Sequence, residues 1–392
     1  MILLRAYASI WDFINSIFGT HILSMPPQTY GFFMAIAFIV GVTVAQKELK
    51  RRTDAGIFSR GTKEIIEGDK VSWQDVLLYA LFGYFLGLKA LGIYLNKALF
   101  SANPQEYLIS LQGSVLGGII GAVLLGGYVY YQQKKKELAQ PITKTISYNA
   151  EDRMGDILML AMAGGILGSK ILDAFDNPAS MRELLTNPIG SLTSGLSVLG
   201  GLWLAALLLI TYARRNKLHI LPFADALSPA FFIAYAVGRL GCQFSGDGCW
   251  GIPSNPFVKP SFIPDFLWGS TYAHNVNREG NLMLNCLEPY CTILPEPHFP
   301  TPLYETLMVS ILFGIIWIFR KKLTPNFGAI TGLFLMFNGL ERFIIEFIRE
   351  NHRYNYFGFE FSQAQYISLI MILLGAILMY WAVHINKGKI KL

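Results

Sequence analysis

Charge is scarce in this chain of 392 residues: aspartate, glutamate, lysine and arginine make up 15% of it, against 53% hydrophobic residues. That balance excludes an ordinary water-soluble domain, and the apolar runs are long enough to span a bilayer. Cysteine and histidine are also few, four and six, and they show no recognised metal-ligand spacing, so no metal and no cofactor are expected. The opening stretch MILLRAYASIWDFINSIF lacks a cleavage-site pattern and a charged start of the usual kind; residues 1–29 are expected to form an interfacial arm rather than a signal peptide.

What remains is an all-α polytopic integral membrane protein. Hydropathy places about nine transmembrane helices near 30–46, 74–98, 113–132, 153–174, 197–213, 223–245, 303–319, 329–348 and 364–385, the fifth and seventh short. Lysine and arginine crowd every second loop: KELKRR from Lys47, QKKKE around Lys134, ARRNK at Arg214, RKK at Arg320 and the tail NKGKIKL. The intervening loops hold few, among them Arg182, Lys259 and Arg278. Basic loops stay cytoplasmic, which puts the N-terminus outside and the C-terminus inside. The net charge of +6 is therefore topological, and no nucleic-acid partner is expected.

An internal repeat occupies the first half. LFGYFLGLKALGIYLN from Leu81 is echoed by MAGGILGSKILDAFDN from Met162, and QGSVLGGIIGAVLLGGYVYY from Gln112 by GLSVLGGLWLAALLLITYAR from Gly195, at offsets of 81 to 83 residues. Two helical hairpins, 74–150 and 153–215, look duplicated in the same orientation, with glycine-spaced first helices that allow close packing. Duplication alone also fits a transporter. Lys89 and Lys170 fall at equivalent places, where a lysine snorkels to the interface or meets a phosphate.

Two arginines stand where a membrane protein least easily keeps them. Arg239 ends the run ALSPAFFIAYAVGR, and Arg342 lies inside ITGLFLMFNGLERFIIEFIRE. An arginine within a span costs on the order of 3 kcal/mol by insertion scales and marks a functional site. On one helical face, Asn338, Arg342, Glu346 and Arg349 form a narrow polar stripe. An Arg342–Glu346 bridge that merely neutralises itself is the bland alternative. Arg239 at the same outer level leaves two guanidiniums with one nearby carboxylate, a net positive charge suited to bidentate capture of a phosphate diester.

Several motifs, in order, carry a resemblance. GRLGCQFSGDGCWG, Gly238 to Gly251, resembles the signature of the prolipoprotein diacylglyceryl transferase family, approximately G-R-I-G-N-F-x-N-G-E-x-x-G. QTYGFFMAIAFIVG from Gln28, DALSPA from Asp225, HFPTPLYE from His298 and RFIIEFIRE from Arg342 resemble further family segments. The resemblance covers most of the chain, but the hairpin near 74–150 is additional to the family's usual seven spans.

It implies a transferase domain over 30–392 in the bacterial inner membrane, with its active site near the outer leaflet. Such an enzyme moves the diacylglyceryl group of phosphatidylglycerol to the lipobox cysteine in the signal peptide of a prolipoprotein, forming a thioether. Carried over by motif, Arg239 and Arg342 hold the phosphate, Glu346 orients Arg342, and Tyr30 supplies a hydroxyl near the head group or thiol. Gly238, Gly241, Gly246, Gly251 and Tyr304 are expected to line the substrate site.

Departures concern the thiol base. The family's H-G-G-L histidine aligns with Leu199, the signature asparagine with Cys242, and its glutamate with Asp247. Asp247, Glu346, Tyr30, His274 and His298 are the replacement candidates; otherwise the substrate thiol attacks with its few per cent of intrinsic thiolate. A structural hydrogen-bonding role suits His298 at least as well, and Glu305 is placed first as a cap of the seventh span, second as a partner for an arginine. Cys286 and Cys291 in NCLEPYC are spaced for a loop-closing disulfide, while a bridge, a free thiol and a reactive cysteine all remain open for Cys242 and Cys249. Residues 252–300 are expected to form a small extracytoplasmic head. A catalytically silent relative that binds anionic lipid or lipoprotein precursors is the alternative reading, made credible by Leu199.

Overall fold

A computed structural model describes residues 5–20, 28–102, 107–108, 110, 112–138, 140–186, 197–284, 286, 290–349, 351, 353–356 and 359–385. The basic tail 386–392, parts of the N-terminal arm and the Leu199 side chain lie outside them. In chain order the main helices are α1 (Ile10–Phe18), α2 (Thr29–Asp54), α3 (Trp73–Leu95), α4 (Val115–Lys136), α5 (Met154–Asp176), α6 (Val198–Arg215), α7 (Ile220–Ser245), α8 (Thr301–Leu323), α9 (Ala329–Ile345) and α10 (Gln363–Tyr380). Three two-stranded antiparallel ribbons accompany them: β1 (Thr62–Glu67) with β2 (Ile142–Ser147), β3 (Asn281–Leu282) with β4 (Thr292–Ile293), and β5 (Arg353–Tyr356) with β6 (Phe359–Ser362).

By length and composition, seven helices among the described residues can cross a membrane: Thr29–Asp54, Trp73–Leu95, Val115–Lys136, Glu151–Phe175, Ile220–Ser245, Thr301–Leu323 and Gln363–Ile385. The helices at the fifth and eighth predicted spans, α6 and α9, are shorter, with 18 and 17 residues. At 1.5 Å per residue each is about 26 Å long, just under a hydrocarbon core of about 30 Å.

The chain divides into two compact units, Met1–Phe58 with Lys217–Leu392, and Ser59–Asn216. The second unit holds the duplicated hairpins. In the first hairpin, α3 and α4 meet backbone to backbone: a Cβ on Gly87 would lie 2.0 Å from the Gly117 carbonyl oxygen, and one on Gly83 2.2 Å from that of Gly121. The second hairpin repeats the seam, with a Cβ on Gly168 2.2 Å from the Gly200 oxygen and one on Gly164 2.6 Å from Ala205 Cα. In both seams the numbering rises on one helix as it falls on the other, so the pairs are antiparallel. Small residues let these backbones approach where lipid offers no hydrophobic drive. The Lys89 ammonium donates to the carbonyls of Tyr107 (2.6 Å), Gln112 (2.7 Å) and Ser110, closing the loop after α3. Lys170 is buried.

In the first unit, α2 packs antiparallel on α7; a Cβ on Gly41 would touch Ala234 Cβ at 3.2 Å, and one on Gly241 would touch Phe33 Cβ at 3.1 Å. Phe232 and Ala236 of α7, Val309 and Ile316 of α8 and Ile330 of α9 form the buried core. Two polar devices fix one end of this bundle. Buried Asp225 of α7 accepts from Gly328 N (2.9 Å), Thr331 N (2.8 Å) and Thr331 Oγ1 (2.7 Å), capping the start of α9 across the interface. Buried Glu48 of α2 accepts from Arg51 Nη2 (2.8 Å) and from Arg320 Nε of α8 (2.7 Å). Because Asp225 joins the first turns of α7 and α9, the two helices run the same way from that end. Arg239 and Arg342 therefore both lie toward the other end, about 20 and 16 Å further on at the helical rise.

Candidate active site

At that other end, four elements converge: the tops of α7 and α9, the start of α8 and the glycine-rich turn after α7. The turn begins where Gly246 adopts φ 63°, ending α7 in a left-handed cap, and Gly248 follows at φ 89°. Any side chain at Gly246 would also meet Ala6 and Asn275 at 2.9 Å. Two bonds tether the turn to the neighbouring elements. Thr301 Oγ1 donates to Cys249 O at 2.6 Å, and Ile252 N donates to Ile348 O at 2.8 Å. Gly251 lies so close to Ile348 that a Cβ there would sit 2.4 Å from its carbonyl oxygen. From below, residues 5–9 brace the turn, with Tyr7 N donating to Phe244 O and Ala6 N to Ala273 O.

Glu305 is the hub of the site. It stands one turn inside α8, wholly buried, and caps nothing. Its Oε2 pairs with Arg239 Nε and accepts from Tyr235 OH at 2.7 Å, while Oε1 takes Arg349 Nη1 at 3.4 Å. The sequence reading that placed Glu305 first as a helix cap is corrected: its partners come from α7 and from beyond α9, and local spacing carries no sign of them. A second carboxylate, Glu346, holds Arg342 Nη2 at 3.1 Å and accepts from Ser362 Oγ (2.8 Å) and Asn351 Nδ2 (2.5 Å). The expected helical stripe is broken here, because α9 ends at Ile345 and Glu346–Ile348 form a 3-10 turn. Arg349 leaves the face of Arg342 and turns to Glu305 instead.

Glu341, which the sequence reading passed over, is a third carboxylate. Its side chain is 1% exposed, neither oxygen has a hydrogen-bond partner among the described residues, and it lies within electrostatic reach of Glu305, Arg239, Arg342 and Arg349. Three guanidiniums thus face two carboxylates that hold them and a third acid with no partner among the described residues, rather than two facing one as the sequence suggests. The asymmetry lies in exposure. Arg239, Arg342 and Arg349 are 17%, 28% and 18% exposed, while Glu305 and Glu346 are at most 1% exposed. Glu305 and Glu346 back the arginines from within, and the open edge of the cluster is cationic, with guanidinium forks of the geometry that suits an anion.

Beside Arg239 stand the other signature residues. Tyr30 opens α2 at 40% exposure, and Arg239, Cys242, Asp247 and Cys249 all act on its hydroxyl electrostatically. Asp247 Oδ1 accepts from Cys249 N at 3.2 Å. Cys242 and Cys249 are free thiols hydrogen-bonded to one another, and that bond draws the Cys249 thiol below its ordinary value. The Cys286–Cys291 disulfide is closed.

Other expected site residues have backbone partners. Tyr304 OH donates to Leu267 O, tying α8 to the 252–300 segment. His298 Nδ1 meets Glu296 O at 2.9 Å and His274 Nδ1 meets Tyr290 O at 2.9 Å, so both histidines brace that segment. Gly238 makes only an ordinary contact, 3.6 Å from Met34 Sδ for an added Cβ.

Similarity to known proteins follows the same residues. The family described as prolipoprotein diacylglyceryl transferase matches residues 122–381, from within α4 to the end of α10. A phosphatidylglycerol–prolipoprotein diacylglyceryl transferase of Photobacterium profundum is 30% identical over 241 residues, covering 59% of this chain and 77% of the relative. One from Pectobacterium atrosepticum is 31% identical over 56% of this chain and 73% of its own length, and one from Burkholderia pseudomallei 27% identical over 68% and 88%. With a match over well more than half its length, reaching from α4 of the first hairpin through the whole arginine cluster, the chain belongs to the prolipoprotein diacylglyceryl transferase family.

Proposed function

We propose that this protein is a phosphatidylglycerol–prolipoprotein diacylglyceryl transferase, which joins the diacylglyceryl group of the lipid to the lipobox cysteine thiol of a prolipoprotein. The sulphur attacks the sn-3 carbon of the lipid glycerol, the carbon–oxygen bond to phosphate breaks, and glycerol phosphate leaves. The observation that carries the reading is the cationic edge made by Arg239, Arg342 and Arg349 over buried Glu305 and Glu346. Arg239 and Arg342 grip the phosphate and stabilise the charge that gathers on it as the bond breaks. Glu346 orients Arg342, and Glu305 orients Arg239 and Arg349. Fixed by buried partners, these guanidiniums need little rearrangement in the transition state.

The enzyme sits in the inner membrane with nine crossings, N-terminus outside. Two observations support the count beyond seven. Antiparallel seams run α6 along the spanning α5, and α9 along the spanning α10, where a Cβ on Gly332 would lie 2.8 Å from Gly375 O and one on Gly339 2.7 Å from Ser368 O. A helix matched along a spanning partner shares its depth. Pairing of β1 with β2 joins the first two basic loops on one side, in accord with the charge bias that makes this side cytoplasmic. The active site then faces the outer leaflet, beneath residues 252–300.

The test is mass spectrometry of a lipobox peptide incubated with the purified chain and phosphatidylglycerol. A diacylglyceryl mass gain on the cysteine is expected, and Arg239→Ala and Arg342→Ala are each expected to reduce it by about 10²–10³-fold. Unchanged turnover in both variants would remove the phosphate grip from the reading.

A further inference from the structure

We propose that Cys242, Asp247 and Cys249 form a zinc site whose fourth ligand is the lipobox thiol of the substrate. The inference rests on the transferase reading and supplies what that reading lacks, a group that activates the thiol where Leu199 replaces the family histidine. The sequence spacing matched no familiar ligand pattern, so a metal was not expected. The fold gathers the ligands nonetheless. The left-handed glycines 246 and 248 turn the chain back on itself, and the two Sγ atoms and a carboxylate oxygen come to lie within 4.8 Å of one another.

Two sulphurs and one carboxylate are a zinc donor set; magnesium and calcium call for oxygen alone. Three protein ligands leave one tetrahedral position open, as catalytic rather than structural zinc sites do. The ligands are also held from behind. Asp247 Oδ1 receives Cys249 N at 3.2 Å, and Thr301 Oγ1 holds Cys249 O at 2.6 Å. Cys242 is buried, and Asp247 and Cys249 are half-buried. Tyr30 lies within electrostatic reach of all three ligands and Arg239 of both cysteines, so the site adjoins an arginine of the proposed phosphate grip.

The chemistry balances without any further reagent. A free thiol is only a few per cent ionised near neutrality, whereas a coordinating thiol is deprotonated outright. The thiol proton passes to solvent as the sulphur binds. The sulphur lone pair then forms the bond to the sn-3 carbon, and the electrons of the broken carbon–oxygen bond leave on glycerol phosphate beneath Arg239 and Arg342. The thioether product carries no charge and is a poorer ligand, which frees the position for the next substrate.

The experiment is elemental analysis of the full chain, purified in detergent without chelator, alongside the lipobox transfer assay. One zinc per chain is expected, lost in Cys242→Ser and in Cys249→Ser, with transfer reduced at least about tenfold. Arg342→Ala is expected to keep its zinc and lose transfer. In the cobalt-substituted chain, a lipobox peptide should shift the sulphur-to-cobalt absorption and the same peptide with serine for cysteine should not. A metal-free wild-type chain with Cys242 joined to Cys249, read by differential alkylation, would overturn the site. So would full transfer by Cys249→Ser, which would leave the transferase reading standing. Stoichiometric zinc in a chain that transfers nothing would instead overturn the transferase reading, and the role of the fourth ligand with it.

Discussion

The residues of the arginine cluster differ in how far the sequence betrays them. Arg239 and Arg342 are visible because each interrupts an apolar helix, and Glu346 because it lies one turn from Arg342. Glu305 is not, since its three partners come from α7 and from the segment after α9. Removing one member of a buried ion pair costs about 3–5 kcal/mol, because the survivor keeps an uncompensated charge. Glu305→Gln is therefore expected to lower both thermal stability and transfer, the latter by about 10²-fold; a variant with wild-type turnover would deny it the hub role. Glu341 was missed because, next to Arg342 in sequence, it falls off the stripe that helical spacing picks out. Its side chain is buried with no hydrogen-bond partner for either oxygen among the described residues, the setting in which a carboxyl gives up its charge. Glu341→Gln is therefore expected to change transfer by less than about threefold. A loss as deep as that of Glu305→Gln would show that its charge is used.

At the scale of helices, periodicity and hydropathy anticipate the apolar helices, seven of which among the described residues are long enough to cross a membrane. What the sequence does not disclose is where α9 stops, because the 3-10 turn at Glu346 is set by tertiary bonds to Ser362 and Asn351. Nor does it disclose that DALSPA works at a distance, with Asp225 capping another helix. The hairpin seams give a graded test. Gly168→Val would drive a side chain into the Gly200 carbonyl and is expected to lower the melting temperature in detergent sharply. Gly127→Ala, where a Cβ meets nothing within 4 Å, is expected to stabilise α4 by about 0.5–1 kcal/mol. Equal behaviour of the two would mean that the seams do not hold the hairpins.

At the scale of the whole molecule, the charge bias of the loops makes a prediction about sidedness. A cysteine placed at Lys135, in the basic last turn of α4, is expected to react with an impermeant maleimide only from the cytoplasmic side. One placed at Phe257, 97% exposed in the 252–300 segment, is expected to react only from outside. The opposite pattern would invert the topology and place the active site on the inner leaflet.

The discontinuity of the first unit has a consequence for synthesis. Its long helix α2 finds its partner α7 only after the entire Ser59–Asn216 unit has been made. At about 5–20 residues per second, that is a delay on the order of ten seconds. Through that interval Glu48 has its bond to Arg51, three residues on in the same helix, but lacks Arg320, and Arg52 lacks the burial that the finished unit gives it. The order in which the ribosome delivers the chain thus sets the moment at which the first unit can close.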